Sequence, residues 1–143
     1  MRFLARLVSD DGGLLVTFPD LPEAVTGGAN LDEALNNAAE ALDLTVLNYV
    51  VDRRPLPAPS SRPLQDGTLR WIDVSASAMA KIAFIEAFQA SGMTRVGLAA
   101  RLGASENEVR RMLNPNYPSK LTTLETGLRA LGKRFVISTE AAA

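Results

Sequence analysis

The sequence predicts an α+β protein: a small, mainly antiparallel sheet under one helix, then an all-helical segment that ends in a short strand. Three observations carry this. Short apolar runs broken by turn residues precede Asn30, a long apolar stripe of helical period begins at Leu31, and from residue 76 the chain reads as short helices separated by glycines. The expected order in the first part is β-β-β-α-β, within residues 1–75; residues 76–143 form the second part.

"RFLARLV" and "GLLVTFP" flank "SDDGG", and Asp-Gly between two such runs is a hairpin signal. Asp10 and Asp11 are placed in that turn, and "EAVTGG" is a third, shorter strand. Asn30 with Glu33 three residues on is an asparagine form of the capping box. Leu31, Leu35, Ala38, Leu42, Val46 and Tyr49 then follow at helical spacing, a stripe to lay on the sheet. "RRPLPAPSSRP", residues 53–63, holds four of the eight prolines and should be extended and semi-rigid. "GTLRWIDVS", residues 67–75, alternates Leu69, Trp71 and Asp73 against Arg70, Ile72 and Val74, and reads as a further strand of the same sheet. One face of that sheet has no cover within this sequence pattern.

Composition removes whole classes of function. The 143 residues include no cysteine, hence no disulfide or thiolate metal site, and no histidine, the commonest general base and metal ligand. A Ser-His-Asp triad is impossible, and neither metal nor cofactor is implied. An apolar content of 47% can furnish a core, yet no run approaches the roughly 18 apolar residues of a membrane span. "MRFLARLVSDDGG" lacks the pattern of a secretory signal, so a cytoplasmic protein with no membrane partner is expected.

The net charge of −1 conceals an asymmetry. Residues 1–65 carry nine acidic and five basic side chains, a balance of −4, whereas residues 78–138 carry four acidic and nine basic, a balance of +5. Two partners of different charge would suit such a chain. In the basic part, "SAMAKIAFIEAFQASG" is a helix stopped by Gly92. "TRVGLAARLG" is a second, with Thr94 as N-cap and Gly103 at its end, and "SENEVRRML" is a third, with Ser105 and Glu108 as a capping box. In "TTLETGLRAL", Thr122 and Glu125 repeat the device.

Two short helices joined at Gly103 match the helix-turn-helix, whose turn of three to four residues often contains glycine. Val109, Met112 and Leu113 share one side of the third helix and can pack on Leu98, Ala99 and Leu102. Glu106, Asn107, Arg110, Arg111 and Asn114 form the opposite stripe, with Ser105 at its start. Amides suit adenine and guanidinium forks suit guanine or phosphate, which is the chemistry of a recognition helix in a major groove. A solvated helix face would also hold arginines; the spacing and the local positive charge favour contact with double-stranded operator DNA. Arg95 and Arg101 on the second helix, and Lys120 beyond "NPNYPS", are placed to reach flanking phosphates. The last strand, "RFVIS", has Phe135 and Ile137 on one side and Val136 between them. It has no strand nearby in sequence to pair with, so pairing with a second copy is expected, giving a homodimer or a homotetramer; the alternative is that it packs back on its own helices or joins the first domain's sheet.

"LVTFPDLPEAVTGGANLDEALNNAAEAL" followed by a proline-rich stretch resembles the HicB antitoxin family, and "RLGASENEVRRMLNPNYPSKLTTLETGLRALGKRFVIS" resembles the helix-turn-helix tail of one branch of it. The resemblance covers residues 3–138. It implies an antitoxin that binds and silences a HicA-type toxin, a small basic ribonuclease cleaving messenger RNA, and that represses its own operon. It further implies a partial ribonuclease H-like fold for the toxin-binding part. The −4 balance of that part suits a basic toxin, which makes Asp20 and Glu23 of the acidic loop the candidate contacts. Ribonuclease H chemistry itself needs carboxylates converging on two metal ions, one from the first strand. The interior of that strand, Phe3, Leu4, Ala5, Arg6 and Leu7, has none, so an enzyme is not expected. The competing reading is a stand-alone transcription regulator whose first domain senses a ligand or oligomerises.

Overall fold

The computed structural model describes residues 1–60 and 67–142; residues 61–63 of the proline-rich segment and the final residue lie outside the described residues. The chain divides into two compact units, Met1–Met79 and Ala80–Ala143.

In the first unit, strands β1 (Arg2–Asp10), β2 (Gly13–Thr17), β3 (Val25–Gly28) and β4 (Thr68–Asp73) make an antiparallel sheet in the order β3-β2-β1-β4. The β1–β2 turn is Asp11–Gly12, with φ of 44° and 82°, the doubly positive geometry that matches the twist of a hairpin. Asp10, expected in the turn, instead closes β1 opposite Gly13. Side chains alternate strictly across the sheet. Phe3, Ala5, Leu7, Val16 and Ile72 are buried on one face, where Phe3 stands opposite Ile72 and Leu7 opposite Val16. That alternation settles β4: Ile72 points inward at 8% exposure, while Trp71 is 41% exposed with the Arg2 guanidinium 4.9 Å from its ring centroid.

Helix α1 (Leu31–Val51) covers the inner face with Ala34, Ala38, Leu42, Val46, Leu47, Tyr49 and Val50. The expected stripe is displaced at its start. Leu31 is 42% exposed, and Ala34 takes the innermost place. The reason is a close approach of backbones: a Cβ on Gly28 would stand 2.4 Å from the Ala34 nitrogen and 2.8 Å from its Cα. Only a small residue fits against bare strand there. Asn30 Oδ1 accepts from the Glu33 N–H at 2.9 Å, as the capping pattern requires, but the Glu33 carboxylate accepts from Ala29, one residue before the cap. The helix ends with Arg53 at φ 56°, where Arg54 N–H reaches Tyr49 O and Arg53 N–H reaches Val50 O, a Schellman pattern without glycine.

The second unit is helical. Helix α2 (Ala76–Ser91) starts in the first unit, and α3 (Arg95–Leu102), α4 (Glu106–Leu113) and α5 (Leu121–Ala130) follow. Phe84, Ile85, Leu98, Val109, Met112, Leu124 and Leu128 are its buried core. Thr94 caps α3 by accepting from Gly97 N–H, Gly103 ends it in the left-handed region, and Ser105 with Glu108 completes a reciprocal capping box on α4. Two expectations are corrected. Helix α5 begins one residue before Thr122, with Lys120 at the cap position and no side-chain cap; the Thr122 carbonyl instead accepts from Thr126 Oγ1 inside the helix. The terminal strand is not formed. Phe135 is half-buried, Val136 and Ile137 are 84% and 77% exposed, and the segment has no ladder. A strand exists only with a partner for its N–H and C=O groups, and the described residues of the single chain supply none.

Gly28→Ala should force backbone apart at α1. We expect a loss of about 1–3 kcal/mol from overpacking, read as a lower midpoint in urea with an unchanged slope.

Candidate nucleic-acid interface and the acidic loop of the first unit

Helix α4 is fixed from one side. Val109 and Met112 are buried in it, Leu98 and Ala99 are buried in α3, and the two helices pack together across Gly103, Ala104 and Ser105. The opposite side of α4 exposes Glu106, Asn107, Arg110 and Arg111. Glu106 Oε1 lies 3.4 Å from Arg110 Nη2 and 3.9 Å from Arg95 Nε, so one carboxylate stands between two guanidinium groups of α3 and α4. Exposed pairs of this kind are worth at most about 1 kcal/mol, and a stronger anion can displace Glu106 from either arginine.

Arg111 does not share this arrangement. Its guanidinium lies 5.6 Å from the Tyr117 ring centroid, and it lines a cleft with Leu102, Met112, Tyr117, Lys120 and Thr123. The structure thus brings Arg111 and Lys120 to one cleft, and Arg95 and Arg110 to one carboxylate. Asn114 sits at the C-cap, where its Oδ1 accepts from Asn116 N–H at 2.9 Å and its carbonyl accepts from Tyr117 N–H at 3.1 Å. Its side-chain oxygen is engaged in the turn. Ser105 Oγ is likewise engaged by Glu108 N–H, and Arg101 donates to the Ala130 carbonyl at the end of α5. Tyr117, which holds Arg111, carried no signal in the sequence.

The two acidic residues of the first-unit loop also have partners. Asp20 accepts from Ser60 N–H at 2.8 Å and Ser60 Oγ at 2.7 Å, which ties the proline-rich segment to the "FPDLP" loop. Glu23 accepts from the Tyr49 hydroxyl at 2.9 Å and from Arg54 Nη2 at 2.9 Å, while the Arg54 guanidinium lies 3.9 Å over the Tyr49 ring. The Arg54 hydrogen bond, followed by the Glu23 backbone N–H and the Tyr49 hydroxyl, holds the Glu23 carboxyl down at about 2. The same carboxylate pushes the Tyr49 hydroxyl above its ordinary value. Neither partner set was legible, because residues 26 to 40 positions apart meet only when the loop folds against α1 and residue 60. Among the described residues, no group of three or more carboxylates is gathered that would hold a metal ion, and no helix is long and apolar enough to cross a membrane.

Similarity to known proteins matches this division. The family model described as a HicB-like antitoxin of bacterial toxin-antitoxin systems matches residues 2–83. The chain belongs to the HicB antitoxin family. It is 34% identical over 135 residues to Antitoxin HicB 2 of Photorhabdus laumondii, covering 94% of each chain. It is 33% identical over 136 residues to Antitoxin HicB of Escherichia coli K12, covering 94% of this chain and 96% of the relative. With Antitoxin HicB of Pseudomonas fluorescens the identity is 31% over 142 residues, 99% of this chain and 95% of the relative. These HicB relatives are therefore similar across both units, beyond the span of the family model. A HicB antitoxin works by binding and is not an enzyme.

Glu23→Gln gives a pH test of the loop. A depressed carboxyl stabilises the fold above its ordinary value of 4.5, and that contribution is lost as pH falls through about 2. Thermal melts should show the variant least stable relative to the parent above pH 4.5, with the difference closing towards pH 2.

Proposed function

We propose that this chain neutralises a HicA-type toxin with its first unit and represses its own operon with its second, α3 and α4 acting as a helix-turn-helix. The observation that carries the second half is the exposed stripe of Glu106, Asn107, Arg110 and Arg111 on a helix anchored behind by Val109 and Met112. Asn107 suits an adenine edge and Arg110 a guanine, since each offers a bidentate fork. Arg95, Arg111 and Lys120 suit phosphates on either side. Ser105 and Asn114 bound the stripe and contribute through the backbone they hold.

The first half follows from family membership and from charge. The −4 balance of residues 1–65 complements a basic ribonuclease. The first unit is read as a partial ribonuclease H-like fold put to binding, its domain spanning residues 1–75. Asp20 and Glu23 contribute to toxin contact through the carboxylate lone pairs that Ser60, Tyr49 and Arg54 leave over. The sheet face opposite α1, where Trp71 and Val25 are exposed, adds apolar area.

Symmetry completes the reading. Phe135, Val136 and Ile137 form a strand with the same segment of a second copy, in a dimer or tetramer of the cytoplasmic protein. A two-fold axis there serves a palindromic operator with half-sites about 34 Å apart.

Two experiments test this. The paired substitution Arg110→Ala, Arg111→Ala should weaken operator binding by about tenfold or more per lost contact and flatten base preference, while co-expression with the toxin still permits growth. Intact affinity and preference in a gel-shift titration would remove the recognition-helix assignment. Val136→Pro should remove a ladder N–H. Sedimentation should then show a smaller species with weaker operator binding, and toxin neutralisation should persist.

A further inference from the structure

Lys81 lies in "SAMAKIAF", where nothing in the sequence sets it apart from a solvated lysine. In the second unit it is 4% exposed. Its Nζ donates to the Arg111 carbonyl at 3.3 Å, to the Tyr117 carbonyl, and to Ser119 Oγ at 3.3 Å. An ammonium has three N–H donors, and here each has an oxygen. None of these partners is a carboxylate. Desolvation lowers its pKa to about 8, so it is still protonated at neutral pH and keeps all three donors.

A buried cation without a counter-ion is costly, and an apolar side chain of the same length would fill the space. What the cation does for the fold is visible at the end of α4. The other helices are each followed by a left-handed residue: Arg53 after α1, Gly92 after α2, Gly103 after α3 and Gly132 after α5. Helix α4 instead ends on Asn114 at φ −84° and ψ 119°, ahead of Pro115, which disfavours helical backbone in the residue before it. With no left-handed cap, the Arg111 carbonyl is closed by the Asn114 N–H and by Lys81. The cation also stands at the negative end of the helix dipole. Its other two bonds hold Tyr117 and Ser119, the stretch that leads directly to Lys120. Tyr117 in turn carries the Arg111 guanidinium over its ring.

We propose that Lys81 is a positioning residue for operator binding: by bridging the last turn of α4 to the Tyr117–Ser119 stretch, it fixes Arg111 and Lys120 relative to each other so that both meet DNA together. This rests on the reading of α4 as the DNA-contacting helix. Lys81 touches no DNA itself. It acts through the Arg111 and Tyr117 carbonyls and the Ser119 hydroxyl.

The experiment is a double-mutant cycle on the full chain with an operator fragment, using Lys81→Met, Arg111→Ala, Arg110→Ala and the pairs. Lys81→Met should weaken operator binding roughly tenfold and reduce the salt slope by about one phosphate contact, with toxin neutralisation retained. Its effect should largely vanish in the Arg111→Ala background and add in full to Arg110→Ala. A merely structural lysine would couple equally to both arginines. Equal coupling, or affinity within twofold of the parent, overturns the proposal. If Lys81→Met does not fold, Ser119→Ala, which removes one acceptor and leaves the core, enters the same cycle with the same criteria. Loss of the operator reading is distinct: there the Arg110→Ala, Arg111→Ala pair itself leaves binding intact.

Discussion

A bare stretch of backbone at Gly28 lets α1 settle directly on the edge strand, and the first unit is arranged around that contact. Because a Cβ at this position would collide with the Ala34 backbone, the helix approaches closely only with glycine below and alanine above. The height of α1 over β3 then decides which residues face the sheet: Ala34, Ala38, Leu42 and Val46 inward, Leu31 outward. The far end of the helix consequently delivers Tyr49 and Arg54 to the loop that carries Glu23. A carboxylate shared by a hydroxyl and a guanidinium makes that loop part of the framework, and Asp20 does the same for the proline-rich stretch at Ser60.

The second unit solves a different problem, the presentation of an exposed polar stripe on an eight-residue helix. So short a helix is unstable alone. It is held by Val109 and Met112 from behind, by the Ser105–Glu108 box at its start, and by a buried ammonium where a glycine would otherwise close it. Gly127 belongs to the same arrangement: an added Cβ there would stand 2.5 Å from Met112 Cε and 2.7 Å from Phe84 Cε2, so α5 packs tightly against α4 and α2. For the proposed operator binding, such support behind the stripe would matter because fewer conformations are then lost on binding.

Local signals were legible where local physics decides the outcome. Asp11–Gly12, Thr94, Gly103 and the Ser105–Glu108 box each depend on residues within a turn of one another, and each is found as the pattern predicts. Thr122 failed as a cap because the helix already begins at Leu121, which places Thr122 inside its first turn. No terminal strand is seen in the single chain for another reason: alternation marks a β-competent segment, but a ladder needs a second strand. The outer helix stripe was legible as a face; that Arg110 pairs with Glu106 while Arg111 turns to Tyr117 was not, since both arginines look alike in a helical projection.

The sequence by itself determined the element order from β1 to α5, the α+β class, the charge division between the halves and the absence of histidine or cysteine chemistry, because these follow from composition and short-range periodicity. Only the tertiary structure decided the environments of Asp20, Glu23 and Lys81. In sequence the two carboxylates read as candidate toxin contacts and the lysine as solvated, and each finds its partners 26 to 40 residues away. Burial and hydrogen-bond saturation are properties of the packed chain: a lysine among alanines becomes a buried cation only when a helix end and a loop close over it.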